Sequence, residues 1–213
     1  MNKYSYNPFY YPFYQEVKRN LGVEIALNYL KVDDEVYKRE KDQSSKYHQK
    51  WYESDLTEFL SSYKSFVGNE IWPKFQCKSH SEQLVYQTKP TIRFHFPGNL
   101  AVGEFHRDRD YNHNPEELNV FLPITAAYDT NTVWVESQEG LEDYQPLNGA
   151  YGDFMFFDGA NCKHGNKINN TRFCRVSFDF RIMTLSSYEK FQPKKTISQS
   201  KSLSVGDYYS VLD

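Results

Sequence analysis

The sequence lacks the features that mark several large classes of protein. Its cysteines, Cys77, Cys162 and Cys174, are odd in number and show no C-x-x-C spacing, so we expect free thiols in a reducing compartment. No apolar run approaches the roughly 18 residues that a membrane-spanning helix needs. Residues 1–14 lack the basic and apolar regions of a signal peptide. Together these absences predict a cytoplasmic protein with no membrane partner.

An excess of charge of one sign is also missing. The chain has 25 basic and 28 acidic residues, and its formal net charge of −3 gives no reason to expect a nucleic-acid partner. Aromatic residues, in contrast, are abundant, with 18 Tyr and 16 Phe among the 213 residues. Bulky aromatic side chains favour β-structure. The composition therefore predicts a single β-rich domain, over residues 1–213, with a real hydrophobic core.

The hydrophobic period of the first part of the chain is that of helices. Residues 1–88 are predicted to form a mainly helical layer, with helices over 14–31 and 55–67. The second helix is expected to begin with a capping box formed by Asp55 and Glu58. This layer precedes the region that carries the candidate functional residues.

Two polar stretches are harder to interpret. The charged residues 32–49 are either a solvated loop or exposed helix, or a mobile lid over an active site. Residues 184–213 form a C-terminal tail, of which 192–204 is expected to be loosely ordered. The sequence leaves open whether Tyr208 and Tyr209, near the end of this tail, pack back onto the domain.

Residues 89–183 change to the period of two that is typical of strands. We expect strands over residues 91–96, 117–125, 132–136, 153–157 and 172–183. Turn signals rich in Asn, Gly and Pro separate them. Several short strands at this spacing predict a mainly β fold with flanking helices, a sandwich or barrel of the jelly-roll type.

A candidate metal site begins with His106 and Asp108. Residues two apart in a strand point to the same side, so these side chains can reach one point. His164 follows an apolar strand and can join them, because distant strands meet in a jelly roll. Two imidazoles and one carboxylate on one face are the ligand set of non-haem Fe(II) oxygenases. The alternative is that the His106 and Asp108 pair arose by chance and that His164 is structural.

A row of polar residues near the end of the β-region forms a second candidate. Its members alternate with apolar residues and are Arg175, Ser177, Asp179 and Arg181. The row is either a solvent-exposed face or the wall of a cavity. In a cavity, the planar Arg175 guanidinium would bind the far carboxylate of 2-oxoglutarate through two hydrogen bonds, with Ser177 assisting. Arg172 and Arg181 compete for this role, but the spacing from His164 favours Arg175.

Three stretches of the sequence together resemble a known family. They are F-H-R-D-R-D-Y-N-H-N-P-E-E-L-N at 105–119, N-T-V-W-V-E-S at 131–137 and H-G-N-K-I-N-N-T-R-F-C-R-V-S-F-D-F-R at 164–181. They are similar to the Fe(II)/2-oxoglutarate-dependent oxygenase superfamily, and more narrowly to its streptomycin-biosynthesis-type, phytanoyl-CoA-hydroxylase-like branch. The resemblance covers residues 90–183 and not the N-terminal third.

This resemblance implies a double-stranded β-helix and a dependence on Fe(II), 2-oxoglutarate and O₂. The iron ligands, and thus the catalytic centre, would be His106, Asp108 and His164. Arg175 and Ser177 would bind the co-substrate. The implied reaction hydroxylates a small polar metabolite, such as an amino sugar, cyclitol or amino acid, and releases succinate and CO₂; desaturation, ring closure and epimerisation are alternatives. A halogenase is disfavoured, because such enzymes lack the carboxylate that Asp108 provides.

The resemblance says less about the remaining contacts. Further polar contacts to 2-oxoglutarate are expected from Asn119 and Thr132. Candidate substrate contacts are Arg107, Trp134, Glu136 and Arg181. For Trp134 and Glu136, a packed indole and an exposed carboxylate are equally acceptable interpretations.

Two other functions remain open. A cupin-like metal-dependent isomerase or dioxygenase would use the metal without 2-oxoglutarate and would not need Arg175. A carbohydrate-binding jelly roll would hold no metal through His106 and His164. Residues 106–108 also spell the H-R-D of protein kinases, but no Gly-rich loop precedes them and no D-F-G follows, which excludes a kinase.

Overall fold

The computed structural model describes residues 2–32, 43–75, 82–101, 104–191 and 202–212 of the protein. In these ranges the chain is mainly antiparallel β-structure with a few helices. The strands form two sheets that do not join into a closed barrel within the described residues. No helix in the same ranges has the length and apolar character needed to cross a membrane.

The strands divide into a larger and a smaller sheet. Their bounds are β1 Asn2–Ser5, β2 Leu84–Gln87, β3 Thr91–His95, β4 Leu118–Pro123, β5 Val133–Val135, β6 Gln145–Pro146, β7 Asp153–Phe157, β8 His164–Asn166, β9 Arg175–Thr184 and β10 Tyr209–Val211. The larger sheet has the order β1-β7-β4-β9-β2-β10, and β3 also pairs with β9. The smaller sheet has the order β6-β5-β8. The long strand β9 is central, because it pairs with β4 along one side and with both β3 and β2 along the other.

The helices of the N-terminal region supply aromatic residues to a core that they share with the larger sheet. Their bounds are α1 Phe13–Leu21, α2 Lys46–Glu53 and α3 Thr57–Phe66, and the short α4, Leu185–Lys190, follows β9. The core includes Phe13 of α1, Trp51 of α2 and Phe59 of α3, each at most 1% exposed. Burial of these aromatic faces holds the helices on the sheet.

The two faces of β9 differ as the period of two predicts. Phe178 points to the helices, where its ring centroid lies 5.0 Å from that of Phe59. Arg175 and Ser177 point the other way and are nevertheless almost completely buried, with 1% and 0% exposure. The polar row is therefore the wall of a cavity and not a solvent-exposed face.

The helix predictions were correct in type but wrong in detail. The helix expected over 14–31 ends at Leu21, because Gly22 adopts a left-handed conformation with φ of 61° and closes the last turn. The capping box of Asp55 and Glu58 does not form. Asp55 accepts a hydrogen bond from the Thr57 N–H at 2.9 Å, and Glu58 pairs with Arg19 instead.

The polar stretches also differ from the expectation. Of residues 32–49, positions 33–42 lie outside the described residues, and the part from Lys46 onward belongs to α2, which buries Tyr47 and His48. That part is a helix, as one of the alternatives allowed, but it buries side chains on one face. The layer expected to be mainly helical also contains the strands β1 and β2. In the tail, Tyr209 is 1% exposed and pairs through β10 with β2, so this end does pack onto the domain.

Candidate metal centre

A cavity lies between the two sheets and is lined by side chains from both. The larger sheet contributes Asn119 from β4 and Arg175 and Arg181 from β9. The smaller sheet contributes His164 from β8, and His106 comes from the loop that precedes β4. Two of the three candidate metal ligands, His106 and His164, therefore line the same cavity as the candidate anion-binding Arg175.

His106, Asp108 and His164 converge on one point of this cavity. The Nε2 atoms of His106 and His164 lie 3.6 Å and 3.7 Å from the same Asp108 oxygen, Oδ1. One ligand atom from each residue lies within 4.8 Å of the others. The three donor atoms are therefore close enough together to be candidate ligands of a single cation.

The reason for the convergence of His106 and Asp108 differs from the prediction. They are not neighbours on one strand, because Asp108 begins a short 3₁₀ turn, Asp108–Tyr111. His106 instead forms an isolated antiparallel bridge with His164, with backbone N···O distances of 3.0 Å and 2.9 Å. The Asp108 N–H donates to the Gly159 carbonyl at 2.9 Å. Backbone contacts with residues 159–164 thus position both members of the H-x-D motif.

Each histidine is oriented by a carbonyl group. Nδ1 of His106 lies 2.9 Å from the Glu104 carbonyl oxygen, and Nδ1 of His164 lies 3.2 Å from that of Cys162. A carbonyl oxygen only accepts, so Nδ1 carries the proton and Nε2 presents its lone pair to the cavity. Burial lowers the pKa of His164, and the nearby Asp108 carboxylate raises it by a smaller amount. The pKa of this imidazole is therefore lowered to about 4. This imidazole is therefore neutral at pH 7, as metal binding requires.

The Asp108 carboxylate is fixed through its other oxygen. Oδ2 accepts from Nε of Arg181 and from Nδ2 of Asn119, each at 2.8 Å, and Nη2 of Arg181 is also 2.8 Å away. Burial alone would raise the pKa of this carboxyl group, but the Arg181 charge and the neighbouring histidines hold it well below its usual value. Oδ1 remains directed at the histidines. The donor set of two nitrogens and one carboxylate oxygen fits a divalent transition-metal ion.

A glycine allows the Asn119 contact. A Cβ atom on Gly159 would lie 2.7 Å from Cγ of Asn119, closer than side chains can approach. The Oδ1 atom of Asn119 is buried and has no hydrogen-bond partner among the described residues. Only glycine at this position lets the Asn119 amide stay beside Asp108.

The Arg175 guanidinium is held in the cavity wall. Its Nε donates to the Asn131 carbonyl at 2.8 Å, and its Nη1 donates to Ser177 Oγ at 2.5 Å. The guanidinium lies 5.5 Å from the centre of the Phe121 ring. A planar cation fixed in this way is suited to binding a carboxylate in the cavity.

Other residues singled out in the sequence lie elsewhere. On β5 it is Val133 that lines the cavity, so Trp134 points away from it. The Lys167 ammonium lies 3.2 Å from the centre of the Trp134 ring. Glu136 is buried and accepts backbone N–H bonds from Lys163, Gly140 and Glu142, which fixes the loop after β5. Neither Trp134 nor Glu136 lines the cavity.

Of the other candidate contacts, Thr132 and Arg107 do not line the cavity, whereas Arg181 does. The Thr132 hydroxyl donates to the Leu147 carbonyl at 2.6 Å and does not line the cavity. Arg107 is not among the cavity-lining residues either. Arg181 does line it, but its guanidinium is paired with Asp108. The sequence signal for this pairing was present, since Arg181 shares the face of β9 that carries Arg175.

Comparison with known proteins gives one strong relationship. No family model matches the sequence. The chain is 36% identical over 206 residues to the streptomycin biosynthesis protein StrG of Streptomyces griseus, covering 94% of this chain and 93% of that protein.

Similarity to solved structures is weaker. A nickel complex of the non-haem monooxygenase ThoJ matches with a TM-score of 0.37 and 15% identity, over 65% of this chain and 54% of ThoJ. AviO1 from Streptomyces viridochromogenes Tue57 matches with a TM-score of 0.43 and 16% identity, over 83% and 85% of the two chains. Such scores are too low to assign a fold or function. The identity along nearly the whole of StrG is decisive, and the chain belongs to the StrG family.

Proposed function

We propose that the protein is a single-domain, non-haem Fe(II)- and 2-oxoglutarate-dependent oxygenase that hydroxylates a small polar metabolite. One observation carries the proposal: the cluster of His106, Asp108 and His164 opens onto the same cavity as the buried Arg175 guanidinium. Fe(II), 2-oxoglutarate and O₂ would supply the oxidising chemistry, and the protein would supply binding and orientation. The arrangement of two sheets around a cavity is that expected of a double-stranded β-helix.

Each ligand residue has one donor atom directed at the cluster and a second atom held by the protein. His106 and His164 would bind the ion through Nε2, and Asp108 would bind it through Oδ1. Three protein ligands leave coordination positions for a bidentate 2-oxo acid and O₂. The Arg181 charge keeps Asp108 ionised, so this ligand is ready at neutral pH.

Arg175 would anchor the far carboxylate of 2-oxoglutarate. Its guanidinium is kept in place by Asn131 and Ser177, so little rotational freedom is lost when the anion binds. Apolar side chains of Phe121, Val133 and Phe157 line the same cavity and would help to exclude water from it once the co-substrate is bound. Exclusion of water strengthens the ion pair between Arg175 and the co-substrate.

The two alternatives account for fewer of these features. A metal-dependent isomerase or dioxygenase that does not use 2-oxoglutarate has no use for a buried arginine in the cavity wall. A carbohydrate-binding jelly roll has no use for two histidines whose Nε2 atoms meet a buried carboxylate. The proposed oxygenase uses both features.

Anaerobic titration with Fe(II) followed by 2-oxoglutarate tests the proposal. The wild-type protein should develop the weak visible charge-transfer band of the Fe(II) chelate. His106→Ala should abolish Fe(II) binding and the band. Arg175→Ala should still bind Fe(II) but bind 2-oxoglutarate about 10- to 100-fold more weakly, because it loses charge-assisted hydrogen bonds.

Controls and contrary outcomes separate the alternatives. Arg175→Lys keeps the charge but loses the planar fork, so its affinity for 2-oxoglutarate should be intermediate. Asp110→Asn, in the same turn as Asp108 but exposed, should bind like the wild type. Fe(II) binding without a 2-oxoglutarate effect would favour the isomerase or dioxygenase, and no metal binding would favour the carbohydrate-binding protein. Succinate release, screened over amino sugars, cyclitols and amino acids, would identify the substrate.

A further inference from the structure

The C-terminal segment, residues 202–212, reaches the side of Arg181 that faces away from the metal cluster. Its strand β10 pairs with β2 at the edge of the larger sheet, with Tyr209 opposite Gln87. Tyr208 and Tyr209 are 9% and 1% exposed and pack in a small apolar cluster with Met183. Two tyrosines that follow Asp108 by 100 and 101 positions thereby come close to its cationic partner.

Arg181 connects Asp108 to this segment. Its Nε and Nη2 atoms face Asp108 Oδ2, each at 2.8 Å. Its Nη1 donates to the Tyr208 hydroxyl at 3.0 Å and lies 3.3 Å from Gln87 Oε1. A guanidinium is planar and rigid, so a hydrogen bond at Nη1 fixes the plane in which Nε and Nη2 meet the carboxylate.

Tyr209 acts on the same arginine through a second carboxylate. Its hydroxyl donates a short hydrogen bond to Glu117 Oε1. The other oxygen, Oε2, lies 3.7 Å from Arg181 Nε and 3.0 Å from His113 Nδ1. Glu117 therefore competes with Asp108 for the Arg181 guanidinium. Tyr209 and His113 bind Glu117 and keep its carboxylate farther from Arg181 than the Asp108 carboxylate is.

We propose that Tyr208, and Tyr209 through Glu117, are positioning residues of the metal centre, which set the orientation of Arg181 and thereby of the Asp108 carboxylate. Neither tyrosine contacts the ligand atoms themselves. The effect is transmitted by two hydrogen bonds, Tyr208 to Arg181 and Tyr209 to Glu117, and by the ion pairs of Arg181 with Glu117 and Asp108, all buried, where such contacts are strong. The inference rests on the proposed function, because it requires that Asp108 bind a metal ion.

Co(II) binding by the full chain tests this inference with a spectroscopic signal. Tyr208→Phe removes only the hydroxyl group and should raise the Co(II) dissociation constant about tenfold, the lower end of the range for contacts behind a metal ligand. It should also change the visible d–d spectrum, because Asp108 meets the ion at a different angle. Tyr188→Phe is the matched control: its hydroxyl accepts from the Val205 N–H at 2.9 Å and makes no contact with Arg181.

The outcomes are distinguishable from failure of the proposed function. Thermal unfolding without metal should show that both variants are folded, and Tyr188→Phe should keep the wild-type dissociation constant and spectrum. Wild-type values for Tyr208→Phe would overturn the positioning role and leave the oxygenase proposal intact. Absence of Co(II) binding in the wild-type protein would overturn the metal centre and this inference together.

Discussion

The helix side and the cavity side of β9 bury opposite kinds of side chain. On the helix side, Phe178 packs against Trp51 and Phe59, with ring centroids 5.5 Å and 5.0 Å away. On the cavity side, its neighbour Ser177 accepts a hydrogen bond from Arg175. Burying aromatic area stabilises the fold, whereas burying a guanidinium costs free energy unless partners surround it. The helix side therefore supplies stability, and the cavity side gives up some stability to hold charged groups in place.

The largest expected loss of stability follows from a substitution on the helix side of β9. Phe178→Ala should lower the free energy of unfolding by about 3–5 kcal/mol, because it leaves a void between β9 and the helices. Urea denaturation of the metal-free protein measures this change. The folded variant should still bind Co(II) like the wild type, because Phe178 points away from the cavity.

Ser177→Ala is the matched change on the other side of the strand. It removes one acceptor from Arg175 and should cost about 1–2 kcal/mol of stability. Its main effect should instead be weaker binding of 2-oxoglutarate. Equal destabilisation by the two variants would refute the difference between the two sides.

The next prediction concerns a methyl group added on the cavity side by substitution of Gly159. In Gly159→Ala the new Cβ would collide with Asn119, so the amide must leave Asp108. We expect a loss of about 1–3 kcal/mol of stability from overpacking and an increase of about tenfold in the Co(II) dissociation constant. Isothermal titration and urea denaturation measure the two quantities.

Gly68→Ala controls for the loss of a glycine. A Cβ atom there would meet Leu212 at 3.7 Å, an ordinary contact distance. This variant should keep both the stability and the metal affinity of the wild type. Unchanged Co(II) affinity in Gly159→Ala would show that Asn119 does not position Asp108.

The smallest effect concerns a buried histidine on the helix side. His48 lies 4.8 Å, between ring centroids, from Phe94, and burial followed by the Arg93 charge lowers its pKa to about 3. Below pH 6.5 the unfolded chain binds a proton that the folded chain does not. The contribution of neutral His48 to the free energy of unfolding is therefore complete above pH 6.5 and is lost as the pH falls towards 3.

The measurable consequence is the slope of the free energy of unfolding against pH. For the metal-free protein, His48 alone should account for a loss of about 1 kcal/mol in the free energy of unfolding between pH 6 and pH 5. His48→Gln should reduce the slope by about one proton, while His95, whose burial also lowers its pKa to about 3, maintains part of it. Urea denaturation at several pH values gives the slope. An identical slope in His48→Gln would show that His48 does not contribute.

Local patterns in the sequence predicted much of the site. The alternation along β9 placed Arg175 on the opposite side from Phe178, because side-chain direction in a strand depends only on position. The His106 and Asp108 pair, with His164, was found from residue type and spacing. That these three residues meet was correct, although the strand expected to align the first two is absent.

Contacts between distant segments were not predictable in this way. No local pattern indicated that Tyr208 would contact Arg181, because that contact depends on the pairing of β10 with β2. The direction of Thr132 was set by the Leu147 carbonyl, which lies just after β6. A helix was one alternative for the stretch in which α2 begins, but the burial of Tyr47 and Trp51 was not predicted, because they stand among many charged residues.

The bridge between His106 and His164 has a consequence for metal selection. Backbone hydrogen bonds fix the separation of the two imidazoles, so the ligand set is preorganised and adapts little to the size of the ion. Such a set follows the general affinity order of divalent ions, in which nickel, copper and zinc all bind more tightly than iron. Loading with iron would then depend on which ions the cell supplies as the chain folds, and protein purified without chelators is expected to carry competing metals.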